Sequence, residues 1–313
     1  MLEDYRNALR AGQRATRAAQ ARGQSPYLAV LDDILRGVNI VAQEPLGLVD
    51  IPAESIVGTK TAGRHTAFAP NFMPILEADS EFARKWSNLC DAHLEEGIRY
   101  PITAYEYLNK FYVEEGNKRV SVLKYYEAVK IPGTVTRLVP ERNETLENKI
   151  YYEFLDFYKL SKINYVHFSR LGGYAKLQTL VCKATGESWT DDDRLNFASL
   201  YTMFSQQFYA LGGSALGLTP GDALLVYLAV YRYSDAIEST PAQVRENLSK
   251  LWDEIKILTR PQAVELQLEP ATKQGAEPLL SKLNIFSPRP SELRVVLLHE
   301  HNAQTSAWVR GQD

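Results

Sequence analysis

Apolar and polar residues recur with two different periods along this chain, and the change of period divides it. Over residues 1–22, Tyr5, Leu9 and a series of alanines recur among Arg6, Arg10, Arg14 and Arg17, a weakly apolar face on a basic helix. Ser25-Pro26 then reads as an N-cap followed by proline at the first helical position. Val30, Leu31, Ile34 and Leu35 keep helical spacing up to Gly37. An N-terminal helical hairpin over residues 1–47 is expected. The arginines suit either a solvated face whose alanines pack on the neighbouring helix, or a targeting or nucleic-acid role.

From residue 48 the period shortens. LVDIPAESIVG reads as a strand, a turn and a second extended piece, and TKTAGRHTAFAPN follows as a loop rich in Thr, Gly, Arg and Pro. Ser80 caps a helix that places Phe82, Trp86, Leu89 and Leu94 on one face and ends at Gly97. PITAYEYL and KFYVEE, separated by Asn109, form a β-hairpin on their aromatic and β-branched content. VSVLKYYEA resumes helical spacing, and GTVTRLVP alternates as an edge or half-buried strand does. Residues 48–141 therefore predict a small α+β domain.

Residues 142–260 predict an α-helical domain. Thr190 with Asp193, Thr219 with Asp222 and Thr240 with Gln243 fit the capping-box spacing, the last two with proline at the first helical position. INYVHFSRLGGYAKLQTLV interrupts them with Gly172-Gly173 ahead of a helix, which is either a second phosphate turn or a plain tight connection. Residues 261–291 hold five prolines among polar residues without periodicity, as a linker does. ELRVVLLHEHN is a continuous apolar run of the kind that opens a parallel α/β sheet. The domain that begins at residue 292 is expected to be incomplete at residue 313.

At 313 residues the chain has room for about two domains of ordinary size. A formal charge of −3 supplies no global cationic field, so indiscriminate nucleic-acid binding is not expected and any anion site must be local. Cys90 and Cys182 are far apart, which implies neither a disulfide framework nor a zinc cluster. The N-terminal segment lacks the continuous apolar stretch of a secretory signal, and no later segment approaches the roughly 20 apolar residues of a membrane span. A cytoplasmic protein without membrane insertion is the expectation.

The densest chemistry lies in YVEEGNKRVSVLKYY, residues 112–126. If a strand ends at Glu115 and a helix opens at Asn117, Gly116 permits the tight turn. The first amides of the helix then point outward with the positive end of its dipole, an arrangement that favours an anion. Lys118 and Arg119 in the first turn repel that dipole unless an anion neutralises them. The alternative is a surface loop in which Glu114 and Glu115 pair with the two cations and contribute little. Lys60 and Arg64, in the Gly/Thr-rich loop upstream, could close over the same pocket.

GLVDIPAESIVG, a helix ending in EEGI, and RYPITAYEYLNKFYVEEGNKRVSVLKYYEAVKIPGTVTRLV together resemble the N-terminal domain of the ParB/sulfiredoxin superfamily over about residues 48–140. Tyr100-Pro101-Ile102 matches its "QPI" strand, and Gly116-Asn117-Lys118-Arg119 matches the G-x-x-R box that starts a helix. The resemblance implies a phosphate site at Gly116, Asn117, Lys118 and Arg119, because ParB proteins bind and hydrolyse CTP, sulfiredoxins use ATP, and a related branch phosphorylates serine. A nucleoside triphosphate with magnesium is the implied cofactor. Asn117 stands where sulfiredoxin has its cysteine, which excludes that chemistry. No tight helix-turn-helix pattern follows, so the DNA reader of ParB is not expected and nucleic acid is an unlikely partner.

LRVVLLHEHNAQTSAWVRGQD resembles the start of the PnrA-like nucleoside-binding domain of the basic-membrane-protein (BMP) family, a periplasmic-binding-protein fold of bacterial ABC-transporter substrate-binding proteins. That resemblance implies a purine nucleoside as partner of the complete domain and Asn302, Gln304 and Trp308 as its loop contacts. The function expected is a ligand-binding regulatory protein in which a ParB-like domain binds a nucleotide or phosphorylated small molecule and reports to the nucleoside-binding domain. The other reading is an enzyme, a nucleotide hydrolase or small-molecule kinase, with Glu114 or Glu115 on metal or base duty. Asp191-Asp192-Asp193 is read as a helix start in preference to a metal cluster, and His299 and His301 lack a visible third ligand.

Overall fold

The computed structural model describes residues 2–259, which fall into two compact units divided between Tyr152 and Glu153. The first is a mixed sheet with helices, α+β at the coarse level; the described part of the second is helical.

The N-terminal residues depart from the expected hairpin. One long helix, α1 (Leu2–Ala21), is followed by a two-residue strand, β1 (Ala29–Val30), a single helical turn, α2 (Leu31–Ile34), and a long strand, β2 (Ile40–Pro52). Two things defeat the helical spacing of Val30–Leu35. Ala29 and Val30 pair in parallel with Gly58 and Thr59, which draws the start of the segment into the sheet. Gly37, Pro45 and Gly47 then rule out a longer helix. The alanine face of α1 packs elsewhere, on α3 (Glu81–Glu96), with Tyr5 and Ala8 buried to 0% exposure. Gly12 permits that approach, since a Cβ there would lie 2.3 Å from the carbonyl oxygen of Pro74.

β3 (Ile56–Thr59), β4 (Ile102–Tyr107), β5 (Lys110–Glu115) and β6 (Lys130–Pro140) complete a six-stranded sheet in the order β1-β3-β5-β4-β6-β2. β4 and β5 form the hairpin, with Leu108 and Asn109 at its turn, both at positive φ. β6 is not an edge: it lies between β4, parallel to it, and β2, antiparallel to it. Alternation along β5 sends Phe111 and Val113 into the larger core with Ile102, Val120 and Ile131, and Tyr112 into a smaller cluster on the opposite face with Leu31 and Leu138.

Two buried ties set the frame of the site. On α3, Trp86 donates from Nε1 to Ser121 Oγ at 2.8 Å and so fixes α3 against α4 (Asn117–Tyr125). Arg137 on β6 meets Glu106 on β4 at 2.5 Å, both within 2% of full burial, and Glu106 also accepts from the Tyr151 hydroxyl and the Asn109 amide. Ser80 caps α3 and Gly97 ends it; Leu94, on the expected buried face, is 62% exposed because the face turns outward in the last turn.

α5 (Leu146–Ser161) crosses the boundary between the units. In the second unit follow α6 (Gly173–Leu180), α7 (Asp191–Ala210), α8 (Pro220–Val230), α9 (Tyr233–Ile237), α10 (Pro241–Lys250) and α11 (Trp252–Ile257). All three capping boxes form, at Thr190, Thr219 and Thr240. Phe197, Phe204 and Phe208 of α7 and Leu224, Leu225 and Tyr227 of α8 are buried to 0% exposure in this unit. The linker of residues 261–291 and the segment 292–313 lie outside the described residues, with Asn302, Gln304, Trp308, His299 and His301.

Candidate anion-binding site

β5 ends at Glu115 and α4 opens at Asn117, with Gly116 between them at φ 110°, ψ 18°. An L side chain is strained there and would also meet Ile102 Cγ2 at 2.8 Å. The first amide to close on the helix is that of Val120, on the Gly116 carbonyl at 3.0 Å. The amides of Asn117, Lys118 and Arg119 precede it and have no intrahelical acceptor.

The four residues of the box do different things. The Arg119 guanidinium folds back over Gly116, donates to the carbonyls of Tyr100 at 2.9 Å and Pro101 at 2.5 Å, and stands 3.5 Å from Glu115. It fastens the β4 entrance to the α4 entrance. Asn117 Nδ2 donates to Thr59 Oγ1 at 3.2 Å, and Thr59 in turn donates to the Val113 carbonyl, so Asn117 ties α4 to β3. The other Asn117 amide atom, Oδ1, is buried without a hydrogen-bond partner.

Lys118 carries the unspent charge. Its Nζ lies 4.8 Å from the centre of the Phe82 ring, and its amine is held below the ordinary lysine value by burial first, then by the positive charges of Arg64 and Lys85. Glu81 pulls the other way, but its carboxylate is already bonded to Lys85 at 2.6 Å. Arg64 projects exposed from the 3₁₀ segment Ala62–Ala67. Neither Arg64 nor Lys118 has an ion pair among the described residues.

Lys60 does not join them. Its Nζ is bonded to Asp32 at 2.5 Å and lies over the Tyr105 ring. Glu114 and Glu115 are exposed at the end of β5, and Glu115 faces Arg119. Among the described residues no group of three His, Cys, Asp or Glu side chains could hold a metal ion. A divalent cation would have to be carried in largely by the ligand's own phosphates. Phe82 and Lys85 were not legible as members of the site. Their three-residue spacing on α3 puts both on one side of that helix, yet nothing in the sequence says that α4 comes to rest there.

The other sequence candidates are spent on structure. The Gly172 amide donates to Glu153 at 2.7 Å. Asp193 closes the cap of α7 and meets Lys183 at 2.8 Å, which pulls its carboxyl down to about 2, while Asp191 pairs with Arg194. No helix among the described residues is long and apolar enough to cross a membrane.

Comparison with protein-family models gives no match for this chain, and comparison with curated proteins gives none either.

Proposed function

We propose that the α+β unit is a receptor for a phosphate-bearing small molecule, a nucleotide first among the candidates. The anion would sit against the amides of Asn117–Arg119, between Lys118 and Arg64. One observation carries this reading: Lys118, with no ion pair among the described residues, stands in the first turn of a helix whose start already repels cations, and the positive charge of Arg64 acts on it from another segment. An anion there neutralises both charges and occupies the open amides. Lys118 and Arg64 are the ligand contacts, and Arg119 and Asn117 hold the turn that presents them.

Charge-assisted hydrogen bonds contribute about 2 kcal/mol each, so two cations and two amides supply about 8 kcal/mol. Association costs at least about 4 kcal/mol of that. The remainder is a millimolar site for a bare phosphate, and nucleoside contacts would have to supply anything tighter.

The ParB-like reading of Gly116–Arg119, with the BMP-like reading of residues 292–313, supports a cytoplasmic regulatory protein that couples nucleotide binding here to a C-terminal nucleoside-binding domain. The test is a thermal-shift screen of nucleotides, nucleosides and pyrophosphate on the wild type and on Arg64→Gln/Lys118→Gln, with magnesium present and product formation monitored. Phosphorylated ligands raise the Tm of the wild type alone. If nucleosides do as well as nucleotides, or if the double variant responds equally, the reading fails; turnover would reassign the site to the enzyme reading.

A further inference from the structure

The solvent side of α1 has no part in that site. At 3.6 residues per turn, Arg6, Arg10, Arg14 and Arg17 fall within an arc of about 80°, and at 1.5 Å per residue they run along about 16 Å of the helix. All four are exposed, and none has an ion pair among the described residues; Arg10 bonds only the Asn7 side chain, at 2.6 Å. Asn7, Gln13 and Gln20 border them. Glu3, at the N-terminal end, is the one acidic residue on this face. The opposite face, with Tyr5, Ala8, Gly12 and Ala19, is closed against the rest of the unit.

Two features say what would cover such a face. It is built from arginines and has no lysine, so its donors are planar forks suited to phosphate oxygens, where solubility alone would be served equally by lysine. Among its described side chains it also offers no large aliphatic or aromatic anchor. A protein partner needs an apolar interface centre, and a helix lying in a membrane surface needs a free apolar face, which α1 has already buried. Contacts from arginine and carboxamide side chains alone are what a nucleic-acid backbone receives.

We propose that α1 docks along the phosphodiester backbone of a nucleic acid through Arg6, Arg10, Arg14 and Arg17. The overall charge of −3 argues against indiscriminate adhesion, and the interaction is local to this one helix face. It is weak and sequence-independent, because phosphate contacts position without reading bases.

The experiment is fluorescence anisotropy of the full-length protein with labelled 20-nucleotide single strands and 20-base-pair duplexes of RNA and DNA, which separates strandedness and sugar. Four phosphate contacts predict about a hundredfold loss of duplex affinity between about 50 and 200 mM salt. Changing the four arginines to glutamine should reduce the salt slope by about 3–4 and abolish binding at the higher salt. Because these side chains are exposed, the Tm should stay unchanged. The four-lysine variant should keep the slope and lose part of the affinity. A control removing four exposed cations elsewhere (Arg36, Lys159, Arg245 and Lys256 to glutamine) should bind as the wild type does. The proposal is overturned if the wild type binds neither polymer at about 50 mM salt. It is also overturned if the α1 glutamine variant binds undiminished, if the control loses as much, or if phosphatidylserine vesicles bind α1 and the polymers do not.

Discussion

Among the described residues two α-helices begin at a glycine with a left-handed backbone, α4 after Gly116 at φ 110° and α6 after Gly172 at φ 81°, and their charge environments differ. At α6 the protein supplies its own anion: the Glu153 carboxylate accepts from the Gly172 amide at 2.7 Å, and the first three residues, Gly173, Tyr174 and Ala175, contain no cation. At α4 the first turn carries Lys118 and Arg119, and Arg64 is brought in from another segment. The nearest carboxylates are spent, Glu115 on Arg119 and Glu81 on Lys85. The capping boxes of α7, α8 and α10 follow the α6 pattern, each helix start holding an acceptor of its own. A glycine turn before a helix is therefore no sign of a ligand. What sets α4 apart is the acceptor left out, together with cations that repel the helix start.

The difference can be broken at the glycines first. Gly116→Ala must strain a left-handed residue and displace Ile102, for about 2–4 kcal/mol in urea unfolding. Gly172→Ala meets nothing within 4 Å and should cost about 1–2 kcal/mol, the backbone part alone. Equal losses would mean that the packing difference is unreal. Next, Glu153→Gln removes the internal anion of α6 and should cost about 1.5–3 kcal/mol. Lys118→Gln should leave the ligand-free protein unchanged or slightly stabilised, and a large loss there would show that its charge is already neutralised.

A pH titration sharpens the contrast within α4. Lys124, at the far end of the helix, is buried against the Ile56 carbonyl at 2.7 Å, and burial lowers its amine to about 8. Such a lysine binds fewer protons folded than unfolded, so stability should rise between about pH 8 and its ordinary 10.5. Lys124→Met should flatten that rise. Lys118 is shifted in the same direction, but the like charges of Arg64 and Lys85 contribute to its shift, so pyrophosphate should relieve the Lys118 part and leave the Lys124 part. Of the destabilising substitutions the smallest effect expected is for Arg119→Lys, about 1 kcal/mol from losing its fork to Tyr100 and Pro101, with ligand response retained.

Much of the local structure was legible because its signals are local. Ser80, Gly97, Asn109, the three capping boxes and the strand–glycine–helix order at Gly116 each act within a few residues, and the structure places each as read. The failures came from long-range pairing. Ala29-Val30 joins Gly58-Thr59 across the chain, so a helical spacing became a strand and a single turn. Alternation along β6 admits an edge or a half-buried strand; the structure shows the half-buried one, and alternation could not choose between them because it reports which faces are buried, whereas the neighbours are set by the order of strands. The candidate site follows the same division. Gly116 and Lys118 could be named from spacing, but Lys60 turns to Asp32 and Arg119 to two backbone carbonyls, partners that no local pattern announces.

The most direct measurement is a ¹H–¹⁵N NMR titration of the full chain with pyrophosphate and then with nucleoside triphosphates, following the backbone amides at the two helix starts. The amides of Asn117, Lys118 and Arg119 should shift in a saturable way, those of Gly173, Tyr174 and Ala175 should stay still, and Lys118→Gln should weaken the response. Equal shifts at both helices, or none at Asn117–Arg119 at saturating ligand, would contradict an anion site at α4.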